Sequence, residues 1–358
     1  TGSSAWISAM YYEYYSFTKD LEFLRTRAYP FMKECAEFYE DFYVYDNNGK
    51  LKSYPSNSPE NQANGTFEGA GKLSISINAT MDFALLKELL TNLVASASLL
   101  EVDEDKILVW KKMLAAIPEY EINKDGAIKE WLHEDFLDNY QHRHQSHIYP
   151  LFPGYEIDSD SGALFDATKV AVNKRLVIGL KQQTGWSLSH MANIYARLKD
   201  GEGVKRCLDL LLRFCTGTNL YTYHNDWRNM GVTLKYLHAG KPPFQIDANM
   251  GFTAAIYEML VFSNGKKIEL LPALPAVFAT GSISSLSTQS QVDVNISWDT
   301  ATAEATLIAK QDVCVDIRCI KYPNLKKCSI DIAQTTTNNS YISIALKAGE
   351  KCQLSFIK

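Results

Sequence analysis

Leu271-Pro272-Ala273-Leu274-Pro275 divides this chain in two. Each proline lacks an N–H and fixes φ, so two of them in five residues exclude both a helix interior and a central strand. On the N-terminal side, from Ser3 to about Phe262, apolar residues recur at helical spacing in segments parted by Gly, Pro and Asn. After Lys266 the period becomes two, as in Val292-Asp293-Val294-Asn295-Ile296 and Val313-Cys314-Val315-Asp316-Ile317, which predicts an antiparallel sheet domain. A chain of 358 residues exceeds the usual size of one hydrophobic core. The expected organisation is therefore a helical domain over 1–265 and a small β-sandwich over 266–358.

Ser4 is placed to cap a helix carrying Trp6, Ile7, Met10, Tyr11 and Tyr14. Pro30 suits the first position of a second helix reaching about Tyr45, before the turn Asp46-Asn47-Asn48-Gly49, so that the two form a helical hairpin. Further helical runs are expected at 79–100, 103–117, 163–180, 186–198, 202–215 and 250–262. Three connections are long, 46–78, 118–160 and 216–249. A repetitive helical scaffold must place its chemistry on such connections.

The chain is 46% apolar and 22% charged, with no stretch read as apolar for long enough to span a bilayer. Its net charge is −5 and it has no long Lys/Arg cluster, which excludes nucleic-acid binding and favours a neutral substrate. Twenty Tyr and six Trp suit sugar faces stacking on rings, and equally the filling of a large helical core. Seven Cys without a CxxC pair read as buried thiols, neither a disulfide framework nor a zinc ribbon. The sequence opens at Thr1 without Met or a charged-then-apolar leader, so any upstream signal is absent from it.

Each long connection carries groups able to do chemistry. The first holds Tyr54-Pro55-Ser56-Asn57-Ser58-Pro59-Glu60-Asn61, where two prolines stiffen the mount of a carboxylate and an amide. The same residues also read as a helix start, with Ser58 capping, Pro59 at the first helical position and Glu60 favouring the dipole. The second holds Lys129-Glu130-Trp131, Asp135, Asp138 and His142-Arg143-His144-Gln145-Ser146-His147. Its H-x-H-x-x-H spacing matches the zinc run of the metallo-β-lactamase fold, except that Ser146 stands where that run has Asp and the context here is helical. Arg143 and His144 suit hydrogen bonds to hydroxyls, or bracing of the loop through carbonyls. The third ends in Pro243-Phe244-Gln245-Ile246-Asp247-Ala248-Asn249-Met250-Gly251, where Asp247 or Asn249 is an adequate N-cap. Two carboxylates on separate loops at one rim would equally make the paired site of sugar hydrolysis.

Taken in order, Gly2-Ser3-Ser4-Ala5-Trp6, Ser58-Pro59-Glu60-Asn61, Lys129-Glu130-Trp131, His142-Arg143-His144-x-Ser146-His147, Gly185-Trp186-Ser187, Ala196-Arg197-Leu198, Phe244-Gln245-Ile246-Asp247-x-Asn249-x-Gly251, Ala254-Ala255-Ile256-x-Glu258-Met259-Leu260 and Leu271-Pro272-Ala273-Leu274-Pro275 resemble glycoside hydrolase family 95. Each motif alone is weak; the ordered set is specific, and it runs from Gly2 into the sheet domain. The resemblance implies an (α/α)6 toroid followed by a β-sandwich. It implies an inverting hydrolase acting on terminal α-L-fucose or α-L-galactose of an oligosaccharide, without metal or organic cofactor. Glu60 would match the general acid, for which a dry setting is expected. Asp247 would match the carboxylate that polarises a water-activating asparagine. Trp6, Asn61, Glu130, Trp131, Arg143 and His144 would match substrate-binding positions, with Glu130 also the rival candidate for the acid.

The family's water-activating asparagine pair lies in an Asn-x-Asn stretch upstream of Thr1, and about ten helices are legible where six hairpins need twelve. The toroid is thus expected to lack its first helices, and this chain by itself to be inactive. Ser189-His190 departs from the aromatic more usual there. Two rival readings are a zinc hydrolase built on His142, His144 and His147, and a non-catalytic sugar-binding or scaffold fragment.

Overall fold

In the computed structural model, the described residues are 2–65, 75–235, 242–330, 334–335 (backbone only) and 341–358. Parts of two expected long loops, 66–74 and 236–241, lie outside them. The chain forms two compact units, Thr1–Gln183 and Thr184–Lys358.

The first unit is helical. Helix α1 (Ser3–Thr18) starts at Gly2, so Ser4 lies within its first turn, and it ends where Lys19 turns left-handed and its N–H returns to Tyr15. Asp20 then caps α2 (Leu21–Phe23) by accepting from the Phe23 N–H at 2.9 Å. This helix continues through a π-turn over Leu24–Ala28 into α3 (Tyr29–Phe42). Pro30 therefore does not open a helix, as the sequence suggested. A proline ring clashes with the carbonyl four residues back, and the wider turn just before Pro30 accommodates it without ending the helix. The expected Asp46–Gly49 turn closes a two-stranded hairpin, β1 (Val44–Tyr45) on β2 (Leu51–Lys52), with Asp46 Oδ1 accepting from the backbone of Asn48 and Lys50.

Helix α4 (Thr80–Leu100) is the core of this unit. Leu86, Leu89, Leu90, Leu93 and Ala97 recur at helical spacing and all are buried, and α1, α3 and α5 (Glu104–Ala116) pack around them. Its length and its mean hydropathy of 1.4 over an 18-residue window are enough to cross a membrane, which the sequence reading missed. Half of that window is buried inside the fold. Asp82 in its first turn is buried as well, accepting from the hydroxyls of Ser53 at 2.8 Å and Ser56 at 2.7 Å, so the helix reads as a core helix. Helix α6 (Ala163–Ile178) completes the unit.

The second unit begins with α7 (Gly185–Arg197), α8 (Gly201–Phe214) and α9 (Ile246–Leu260), α7 packing on both others. Thr184 and Ser187 form a reciprocal capping box at the start of α7. Two five-stranded sheets follow. One has the order β10 (Gln334–Thr335), β11 (Ile342–Leu346), β8 (Val313–Cys319), β4 (Lys267–Leu270), β3 (Val261–Asn264). The other runs β5 (Gly281–Ser287), β6 (Val292–Trp298), β7 (Thr302–Ala309), β12 (Lys351–Ile357), β9 (Asn324–Cys328). Among the described strands of these two sheets every pairing is antiparallel except β4 on β8, which is parallel. The expected alternation is visible in burial: Val292, Val294 and Ile296 face inward with Ala303, Ala305 and Leu307, as do Val315 and Ile317 with Ile342 and Ile344. The Leu271–Pro275 junction is pinned as Leu271 and Ala273 donate back to the carbonyls of Leu260 and Met259. Gly201 approaches this junction so closely that a Cβ there would meet the Ala273 carbonyl at 2.5 Å.

Candidate active site

Ser58-Pro59-Glu60-Asn61 is a tight turn and opens no helix: the Asn61 N–H returns to the Ser58 carbonyl at 3.0 Å. Glu60 occupies the third position with φ of 52°, where such turns favour glycine. Holding a non-glycine residue there costs on the order of 1–3 kcal/mol. The left-handed backbone conformation falls on the one residue of the turn that carries a carboxylate, and that carboxylate is presented outward.

Two side chains from the second long connection meet it. Arg143 Nη2 donates to Glu60 Oε2, and His144 Nε2 lies 3.1 Å from the same oxygen. The Glu60 side chain is 60% exposed, so the dry setting expected of it is absent here. Burial, and next the neighbouring Arg143 charge, push the His144 imidazole below its ordinary pKa, while Glu60 pulls the other way. A neutral His144 can then donate one hydrogen bond from Nε2 to the carboxylate. The His144 ring stacks on His142, at 5.0 Å and 15°.

Beneath this surface lies a buried polar cluster. Glu130 is fully buried; Oε1 accepts from Ser58 Oγ at 2.6 Å, and Oε2 accepts from Asn61 Nδ2 at 2.7 Å and Arg175 Nη2 at 2.7 Å. The Glu130 N–H donates to Asp138 Oδ1 at 2.7 Å, and its carbonyl accepts from Thr80 N at 3.0 Å. Burial raises the Asp138 pKa, against the hydrogen bond from the Glu130 backbone. Asn61 also bonds the Asn139 carbonyl and amide, each at 3.1 Å. Trp131 packs with Ala63, Ala79 and Phe136. Asn61, Glu130 and Trp131, expected at the substrate, are 3%, 0% and 1% exposed, their side chains packed against neighbouring segments. Asn61 and Glu130 bond neighbouring segments of the protein, whereas Trp131 Nε1 is buried with no hydrogen-bond partner among the described residues.

His147 is buried too, its Nδ1 3.9 Å from Glu130 Oε2, and burial pushes its pKa down to about 3. His142, His144 and His147 do not converge: among the described residues no group of three or more His, Cys, Asp or Glu could hold a metal ion. Trp6 is partly buried, its ring edge-on to Tyr149 at 5.1 Å, just past the end of the histidine run.

Asp247 belongs to the second unit, exposed in the first turn of α9, with Oδ1 accepting from the Ala248 N–H at 2.9 Å. Helix α9 begins about four residues earlier than the periodicity indicated and Gln245 is its N-cap, so neither Asp247 nor Asn249 caps it. Asn249 instead fastens the preceding loop, accepting from the Thr222 N–H and hydroxyl at 3.1 and 2.9 Å and donating to the Leu220 carbonyl at 2.9 Å.

Arg175 was not singled out from the sequence, although a signal for it is present. It falls on the stripe Thr168, Ala171, Val172, Leu176, all buried, where a charge is an anomaly that demands a buried partner.

Residues 1–260 match the glycosyl hydrolase family 95 catalytic domain, and residues 262–354 match that family's C-terminal domain. The chain belongs to glycoside hydrolase family 95. It is 36% identical over 301 residues to alpha-L-fucosidase 2 of Arabidopsis thaliana, covering 82% of this chain and 34% of the plant protein. To probable alpha-fucosidase A of Aspergillus niger it is 27% identical over 317 residues, covering 83% of this chain and 37% of the fungal one. The chain thus spans about a third of the length of these relatives. A solved structure from the human microbiome, described as a kojibiose phosphorylase, superposes with a TM-score of 0.55 at 8% identity over 99% of this chain and 50% of that one, a likeness of fold alone.

Proposed function

We propose that the protein removes terminal α-L-fucose, or the closely related α-L-galactose, from oligosaccharides by an inverting acid/base mechanism. The observation that carries this reading is the Glu60 carboxylate, held on a strained turn and gripped by Arg143 and His144. Fucosidase names among relatives that match most of this chain support the sugar.

In this reading Glu60 protonates the leaving glycosidic oxygen, and Arg143 and His144 bind sugar hydroxyls while fixing the acid. Trp6 contributes to the sugar pocket. Asp247 polarises an asparagine supplied by the upstream part of the family's toroid, and that amide activates the attacking water. The boundary between the helical catalytic domain and the sheet domain is set near residue 265. Two groups acting on opposite faces of the sugar invert the anomeric centre.

Proton NMR of the first-formed product from 2'-fucosyllactose tests this, in a form of the protein that includes the asparagine-bearing segment. The β-anomer of free L-fucose is expected before mutarotation. Formation of the α-anomer, or binding without turnover as a scaffold would show, overturns the reading.

A further inference from the structure

The site residues form a closed ring of contacts with an outer half at the surface and an inner half beneath it. On the outside, Arg143 and His144 hold the Glu60 carboxylate. On the inside, Arg175 uses both arms of its guanidinium: Nη1 donates to the His144 carbonyl at 2.5 Å and Nη2 to Glu130 Oε2 at 2.7 Å. Glu130 then accepts from Ser58 and Asn61, the residues two before and one after Glu60. Thus one buried ion pair bonds the backbone of the gripping run to the two ends of the acid's turn. Both partners have fully buried side chains. Removing two charges from water is expensive, and well-packed apolar residues of similar volume are often as stable or more so. What an apolar pair could not supply is the forked connection between two loops.

We infer that Glu130 and Arg175 are positioning residues, which set the Glu60 carboxylate against Arg143 and His144 by tying the turn 58–61 to the run 142–147 through helix α6. Neither touches substrate; both act through the placement of Glu60. The inference rests on the reading of Glu60 as the acid for its functional meaning, but the placement itself is measurable without turnover.

The Arg143 Nε–Hε resonance of the selectively ¹⁵N-labelled 358-residue chain reports whether a carboxylate sits on the guanidinium. In the native chain, Glu60→Gln is expected to move it. In an Arg175→Met background, Glu60→Gln is expected to leave it unmoved, because the pairing is already lost. Arg175→Lys keeps a buried cation for Glu130 but loses the planar fork that reaches the His144 carbonyl as well. It is expected to cut the Glu60-dependent shift by at least half, and it serves if the methionine variant does not fold. A full-sized response to Glu60→Gln in either folded background overturns the inference, as does no response in the native chain. Failure of the acid assignment would instead appear as normal turnover of Glu60→Gln in the form that includes the asparagine-bearing segment, with this coupling intact.

Discussion

The Arg143 guanidinium donates to the Glu60 carboxylate across 83 positions of sequence. The contact requires two loops, joined nearby by an isolated antiparallel bridge between Asn64 and Leu137, to hold a fixed separation. A charge-assisted bond of this kind orients the carboxylate as well as binding it. Arg143→Lys keeps the charge but not the fork. It should weaken L-fucose binding and lower turnover by about tenfold, a loss of one charge-assisted hydrogen bond. Calorimetric titration with L-fucose beside steady-state kinetics checks this, and unchanged values for both would exclude a role for the contact.

Removing one member of the Glu130–Arg175 pair should be costly to folding. Glu130→Leu leaves a fully buried guanidinium without its carboxylate, and breaking a buried pair in this way typically destabilises by about 3–5 kcal/mol. Replacing both, as Glu130→Leu with Arg175→Met, should recover most of that stability. Urea unfolding of the three proteins decides it: a double variant no more stable than the single would show that the hydrogen bonds to Ser58, Asn61 and His144, more than the unpaired charge, carry the cost.

The fold should weaken in acid through its buried histidines. Burial depresses the His142 and His147 pKa values from 6.5 to about 3. For His142 the next causes are the charges of Arg175, His144 and Arg143; for His147 Arg175 adds to the depression and Asp138 opposes it. Above about pH 6.5 both states of the chain carry neutral imidazoles, so these groups contribute no pH dependence. Below it the unfolded chain takes up protons that the folded one does not, and stability falls until about pH 3, where the folded form also protonates. Thermal melting points are expected to drop steadily from pH 6.5 to pH 4, and His142→Gln with His147→Gln should flatten that slope. An unchanged slope in the double variant would place the acid sensitivity elsewhere.

Much of the scaffold was legible because its determinants are local. Helices α4 to α8 fall within about two residues of the runs their apolar spacing indicates, and Val292–Ile296 and Val313–Ile317 lie in strands as their alternation requires. The misreadings have nonlocal causes. Pro30 reads as a helix start until a π-turn accommodates it, and Ser58-Pro59-Glu60 reads as a helix cap until Ser58 is seen bonded to Glu130, 72 positions away. The parallel pairing of β4 with β8 leaves no trace in a period-two pattern. Glu60, Arg143 and His144 were all named from the sequence, and the structure brings them together. Glu130 and Trp131 were expected at the substrate rim from the family resemblance, and a loop carboxylate beside an aromatic looks alike in sequence whether it points out or in. Only burial distinguishes the two, and with it comes the partner Arg175.

The asparagine pair that the family reading requires is not among these residues, so the 358-residue chain should show little or no hydrolysis of 2'-fucosyllactose. It should also tend to self-associate, since Ile7, Met10 and Tyr14 on one face of α1 are 44%, 58% and 50% exposed. Side-by-side assays of this chain and a form including the asparagine-bearing segment check both points. Comparable turnover would mean that water is activated from within these residues.

The central claim is that Glu60 donates the proton to the leaving group, and its most direct test is the turnover of Glu60→Gln in that longer form with 2'-fucosyllactose. Glutamine keeps the size and a hydrogen-bonding end but has no acidic proton. The turnover number should fall on the order of 100- to 10,000-fold, with sugar binding nearly unchanged. Turnover within a few-fold of the native protein would contradict the assignment.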